Sequence, residues 1–355
     1  MSQGNHHIDY QTNIRGPANH HQQQIRRPES WLIRILSSKV VARLAILCVR
    51  MFTPLMLLMP RRPQWTVRRK CTQVFLDPAS FSHYYTTLGG YRYHYVDEGP
   101  KDGPVLFFVH GFPDFWYGWR HQIRYFSQKG YRVIAIDKLG YGETDKPVVS
   151  LERTHPYTVK RIAGHIKELL DQLQIQQVVV VGHDWGAIVA GKVASWYPER
   201  CRAYISIGNP IRPPMTKPIS VENLVQENLA FAYFAAFGRA GCEKYLRRDR
   251  NVYIQNFEAG GWHGPLNYYR TLYLNYKDDM GLVGTKLKVP TLLVIVRGDP
   301  ILTQRYCHNV PKDFIETYEE TWVRGGHFIL SEDPKGVNGR IEDYLNSLPA
   351  AVSQN

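Results

Sequence analysis

Three side chains with titratable groups fall where strand-like stretches end. Asp184 lies in VVVVGHDWGAIVAG (178–191), where a run of valines stops in a tight turn flanked by Gly182 and Gly186. Asp299 follows VIVR in RGDP, and His327 follows VRGG in GGHF. The pattern G-x-S-x-G after a buried strand marks a sharp turn that exposes a nucleophilic serine. Here a carboxylate holds the serine's place. A carboxylate attacking an alkyl carbon leaves an ester, and water can cleave an ester, so one difficult step becomes two. A histidine oriented by a second carboxylate can activate that water. A lone Asp after a strand is ordinarily a turn former, and a lone His an ordinary surface or core residue. The three together, in the order nucleophile, acid, histidine, form a candidate catalytic triad.

A fourth part lies upstream, in FFVHGFPDFWYGW (107–119). The turn after this strand is placed to aim backbone N–H groups at developing negative charge. Phe112 N–H and Trp185 N–H, the latter just after Asp184, are the expected donors of an oxyanion hole. His110, Gly111 and Pro113 are read as shaping the turn, His183 as structural, and Asp137 as closing its own strand's turn.

These groups need a scaffold that holds strand ends together. Apolar strands are expected in GYRYHYVDEG, PVLFFVHGF, YRVIAIDKLG, QQVVVVG, CRAYISIGNP and VPTLLVIVRGD. Helical stretches alternate with them, including the amphipathic TVKRIAGHIKELLDQLQ and a closing PKGVNGRIEDYLNSL. Continuous apolar strands separated by helices predict an α/β fold with a mostly parallel sheet covered on both faces. Ligands then collect at the strand ends. Residues 211–285 break the alternation, lack buried strands and are crowded with aromatics, so they read as a helical cap. The core is thus expected in two parts, 71–210 and 286–355.

Of 355 residues, 44% are hydrophobic and 21% charged, an ordinary globular balance. The net charge of +13 is concentrated in residues 1–70, which hold 12 Lys/Arg against 2 Asp/Glu. The body is nearly neutral and no zinc-like cysteine spacing occurs, which argues against a nucleic-acid partner. The five cysteines are odd in number and scattered, as expected of a body facing a reducing compartment. Residues 1–30 are polar, rich in His and Gln, and read as a disordered tail. Residues 31–70 read as a membrane-attachment segment. Val40 to Met59 could reach about 30 Å as a helix, but Arg43 and Arg50 lie inside it. With Lys39 they form a basic stripe, which suits a helix lying in the interface, and lipid contact is expected through residues 31–60.

With these motifs in view, the chain resembles the epoxide hydrolases of the α/β-hydrolase superfamily over roughly residues 75–348. The resemblance rests on HGFP, GHDWGA, GPLNYYR, GDP and GGHF. It implies an α/β-hydrolase fold and conversion of a small-molecule epoxide, lipid-like given the aromatic cap, to a vicinal diol through an Asp184 ester. No metal or organic cofactor is implied. Two cap tyrosines would donate to the opening epoxide: Tyr269 by the LNYYR motif, and Tyr233 in AYFAAF. Only 36 positions separate the two, fewer than the family's cap normally places there. The N-terminal segment resembles the membrane-anchored animal subgroup, which implies membrane association, at the endoplasmic reticulum with the body facing the cytosol. A haloalkane or haloacid dehalogenase shares the Asp nucleophile, and a non-catalytic hydrolase-like binding protein is the alternative of another class.

Overall fold

The computed structural model describes residues 76–150, 154–227, 257, 260–308 and 310–349, together with Arg43 and Leu47. The expected tail 1–30, nearly all of the attachment segment 31–70, and Tyr233 lie outside the described residues. Among the described residues no helix is long and apolar enough to cross a membrane.

An eight-stranded sheet organises the chain: β1 His83–Leu88, β2 Tyr91–Glu98, β3 Val105–Val109, β4 Arg132–Ile136, β5 Val178–His183, β6 Cys201–Ile207, β7 Thr291–Arg297 and β8 Tyr318–Arg324. Their spatial order is β1-β2-β4-β3-β5-β6-β7-β8. The first two strands pair antiparallel, as does β2 with β4, and every pairing from β4 through β8 is parallel. Helices α1 Arg120–Gln128, α2 Val159–Gln172, α3 Trp185–Trp196 and, at the end, α7 Pro334–Ser347 flank it.

The valine run explains why β5 is central. Val178 and Val180 join one core, while Val179 and Val181 join the other, because side chains alternate across a strand. Phe107 and Val109 of β3 divide from Leu106 and Phe108 in the same way. All six β5 residues are buried, and each fully buried valine contributes about 1.5–3 kcal/mol relative to exposure. Helix α2 covers one face through Ile162, Ile166, Leu169 and Leu170, spaced at helical period.

Two strands carry no continuous apolar run in the sequence. In β1 (HYYTTL) and β8 (YEETWVR) polar and exposed positions interrupt the apolar pattern. They are the two edge strands, which need no continuous apolar run. Within the interval 211–285 the described residues form α4 Val221–Glu227, α5 His263–Arg270 and α6 Leu272–Asp279, with no named strand among them.

Candidate active site

The parallel strands deliver the site. His110–Pro113 follow β3, Asp184 follows β5, Asp299 follows β7 and His327 follows β8. All lie beyond the carboxyl ends of the parallel strands.

Asp184 sits at φ 52° and ψ −124°, a backbone conformation that non-glycine residues rarely adopt. The turn is tight enough to bring chain segments into contact. A Cβ on Gly182 would lie 2.2 Å from Gly186 O, and one on Gly186 would lie 2.0 Å from Val109 O. Gly111 is as constrained, since its Cβ would stand 2.7 Å from Asp184 Cβ. The glycines therefore let β3, β5 and α3 press together around one carboxylate. Asn209, just beyond β6, braces the elbow by donating its Nδ2–H to Asp184 O at 3.1 Å.

Asp184 Oδ1 accepts the Phe112 N–H at 2.8 Å, and the Trp185 N–H also donates to this carboxylate. Burial pushes the Asp184 carboxyl up, while the His327 charge and these two N–H groups pull it back. His327 Nε2 faces Asp184 Oδ2 at 3.9 Å. His327 Nδ1 lies 2.8 Å from Asp299 Oδ2, and Asp299 Oδ1 accepts the N–H groups of Ile301 and Leu302. Burial alone would raise the Asp299 carboxyl, but the His327 bond and charge and these N–H donors hold it below the usual range. It therefore stays ionised and fixes the proton on Nδ1. Burial opposes charge on His327 as well, yet the Asp299 bond and the Asp184 and Asp299 charges win and raise it to about 9. The two acids thus favour the protonated form of the imidazole that lies between them.

The neighbours have distinct parts. His110 Nδ1 bonds Gly111 O at 2.9 Å and its Nε2 accepts the Lys138 N–H at 3.1 Å, so the ring ties two strand ends together. Burial holds it neutral, well below the usual range. The Phe112–Pro113 peptide is cis. His183 is buried 5.3 Å from the His327 ring, ring centre to ring centre, and burial lowers it to about 3. Asp137 accepts the Trp116 and Glu143 N–H groups and a His94 Nδ1 contact, so it binds more than its own turn. Lys138 escaped sequence reasoning: its ammonium is buried 4.9 Å over the Tyr141 ring and 4.7 Å over the Tyr268 ring. Burial lowers it to about 7, against the pull of Asp184 and Asp114. One lysine beside apolar residues carries no sequence signal for such a place.

On α5, Tyr269 packs edge-on against Phe112 and Trp185, at 5.2 Å and 5.1 Å between ring centres. It thus overlies both residues whose N–H groups hold Asp184. The adjacent Tyr268 is bound elsewhere, donating to Leu139 O at 3.0 Å. A mainly apolar cavity of about 190 Å³ is lined by Asp184 together with Trp185, Ile188, Ile211, Leu224 and Phe314.

The sheet order and an acidic residue on a strained strand-to-helix turn define an α/β-hydrolase, and the family model of the alpha/beta hydrolase fold matches residues 104–240. Mouse epoxide hydrolase 4 is 30% identical, covering 76% of this chain and 81% of that protein. Mouse bifunctional epoxide hydrolase 2 is also 30% identical over 76% of this chain. A crystal structure of an epoxide hydrolase from Vigna radiata superposes with a TM-score of 0.67 at 28% identity, covering 76% of this chain and 99% of that one. The chain belongs to the epoxide hydrolase family. It spans 56% of the length of the bifunctional relative.

Proposed function

We propose that the chain hydrolyses an epoxide to a vicinal diol through a covalent ester on Asp184. The observation that carries this reading is the carboxylate itself. It is held by the Phe112 and Trp185 N–H groups, as a tetrahedral oxyanion would be, and faces His327 across 3.9 Å. Asp184 Oδ2 attacks an epoxide carbon as the C–O bond breaks, and Tyr269 protonates the departing alkoxide. The ester removes the charge of Asp184, which had helped to keep His327 protonated. The His327 pKa then falls, its proton returns through solvent to the Tyr269 oxygen, and the neutral Nε2 can take a proton from water as that water adds to Asp184 Cγ. Negative charge developing on Oδ1 is stabilised by the Phe112 and Trp185 N–H donors. Collapse of the intermediate breaks the bond between Cγ and the diol oxygen, which takes its proton from His327 and leaves as the diol. Tyr233, in the second cap position, would share the alkoxide, and a lipid-like substrate suits the apolar cavity beside Asp184. The parts of the chain follow the same division: core in 71–210 and 286–355, cap in 211–285.

A single turnover in ¹⁸O-water tests the ester. Water adds to Cγ, so the label is expected in the Asp184 carboxylate and not in the first diol. Label found directly in that diol would mean that water attacks the epoxide itself.

The basic, apolar segment 31–60 supports attachment to a membrane surface, with the endoplasmic reticulum as the membrane and the body on its cytosolic side. Protein beginning near Arg69 is expected to leave the membrane pellet while keeping its fold and activity. Continued sedimentation with membranes would assign the attachment to the body.

A further inference from the structure

Away from Asp184, three side chains converge near the sheet's first edge. His83 on β1, His94 on β2 and Glu143 in the loop after β4 bring one possible ligand atom each within 4.8 Å of one another. The two imidazoles meet head-on, with His83 Nδ1 2.8 Å from His94 Nε2 and ring centres 5.1 Å apart.

Each ring's other nitrogen is already committed. His94 Nδ1 lies 2.7 Å from Asp137 Oδ2, on a carboxylate that also accepts two backbone N–H groups. His83 Nε2 lies 3.0 Å from the carbonyl of Pro78. Both partners are acceptors only, so each ring carries its proton on that outer side. A neutral imidazole then has a lone pair on the nitrogen facing its neighbour. Two lone pairs 2.8 Å apart repel unless positive charge lies between them. Glu143, exposed at the mouth, adds a carboxylate that also accepts the Tyr85 hydroxyl.

We propose that His83 Nδ1, His94 Nε2 and the Glu143 carboxylate bind one divalent transition-metal cation of the zinc class. Two imidazoles and a carboxylate, with a solvent-facing fourth position for water, are borderline ligands of the kind such ions select. The outer contacts complete the pattern: Asp137 and the Pro78 carbonyl fix the tautomer and aim of each ring. Zinc–nitrogen bonds of about 2.0–2.1 Å in a tetrahedron need nitrogens about 3.3 Å apart, so the rings must part by about 0.5 Å. Fully buried His94 is the anchor, and half-buried His83 can give that distance. The exposed Glu143 gives the ion its way in. Two cations oppose the ion: Arg92, lying over the Tyr85 ring but exposed and screened by water, and Lys146, whose ammonium interacts with Asp137 and Glu143 while donating to Gly142 O and Thr144 O. A bound ion would tie the β1–β2 hairpin to the loop after β4. Through Asp137, which accepts the Trp116 N–H, it would also steady the loop that follows Phe112.

The test is thermal unfolding of the full chain, stripped with EDTA and then titrated with Zn²⁺. At saturating zinc (about 100 times Kd) the midpoint is expected to rise by about 5 °C. The shift should be lost in His83→Gln and, independently, in Glu143→Gln, whose exposed side chain can change without disturbing the core. The tail histidines His6, His7, His20 and His21 can also take zinc, and both variants keep them. Co²⁺ should give the visible absorption of a tetrahedral site in the wild type and not in the variants. No shift in the wild type would leave a shared proton as the sole occupant and overturn the proposal. A shift equal in the wild type and both variants would place the metal elsewhere and overturn it too.

Discussion

Replacing His327 with Gln is expected to trap one equivalent of substrate on Asp184 as an ester. Attack on the epoxide needs the Asp184 carboxylate and a proton donor for the alkoxide, and His327 supplies neither. Cleavage of the ester needs a base for water, and His327 Nε2 is the basic nitrogen facing Asp184 in this site. Turnover should therefore fall by roughly 10³-fold, within the range of general-base contributions. Intact-mass spectrometry should find a stable mass increase equal to the substrate. Gln removes a cation that steadied the buried carboxylate, so ester formation should slow as well, but less. Fast turnover by this variant would take the water-activating role away from His327.

The same residue sets a pH dependence of stability. Its folded pKa of about 9 lies above the unfolded value of about 6.5. Its protonation therefore stabilises the fold fully below about pH 6.5, and that contribution disappears as pH rises through about 9. Between those limits the melting temperature of the wild type should fall more steeply than that of His327→Gln. Parallel slopes would mean that His327 is not the proton holder of the resting site.

How much of this could be read in the sequence follows burial. The buried strands β3 to β7 announce themselves by mainly apolar runs, because both faces of each are covered. The edge strands β1 and β8 do not, since water on one side permits Glu, Thr and Tyr. The turn residues around Asp184 were legible because glycine is required where backbones approach within a Cβ's reach. The strand-end positions of Asp299 and His327 were legible from order along the chain. Asn209, Lys138 and the His83–His94 pair were not. Their significance arises only when β2, β4 and β6 bring together residues far apart in sequence, and no local spacing encodes that. Tyr233 and the segment before residue 76, both outside the described residues, rest on the sequence alone.

Tyr269→Phe is expected to slow ester formation by roughly 10²-fold while leaving ester cleavage almost unchanged. An epoxide that opens leaves an alkoxide, and a phenol with an ordinary pKa near 10 is protonated and able to donate at pH 7. The ring of Tyr269 is held edge-on by Phe112 and Trp185, and Phe keeps that packing. The melting temperature should therefore move little, so a loss of rate cannot be charged to a disturbed fold. Cleavage depends on His327, water and the two backbone N–H groups, none of which the substitution touches. Rapid-mixing kinetics of alkylation, beside a thermal melt, separate the alternatives. A hydroxyl that served only structure would give the reverse pattern, with unchanged alkylation and a lower melting temperature from a buried partner left unpaired. The distinction also bears on the substrate. A departing halide needs stabilisation but no proton, whereas an alkoxide needs a donor poised over the breaking bond. Strong dependence of the alkylation step alone on the Tyr269 hydroxyl is the signature of ring opening at an oxygen.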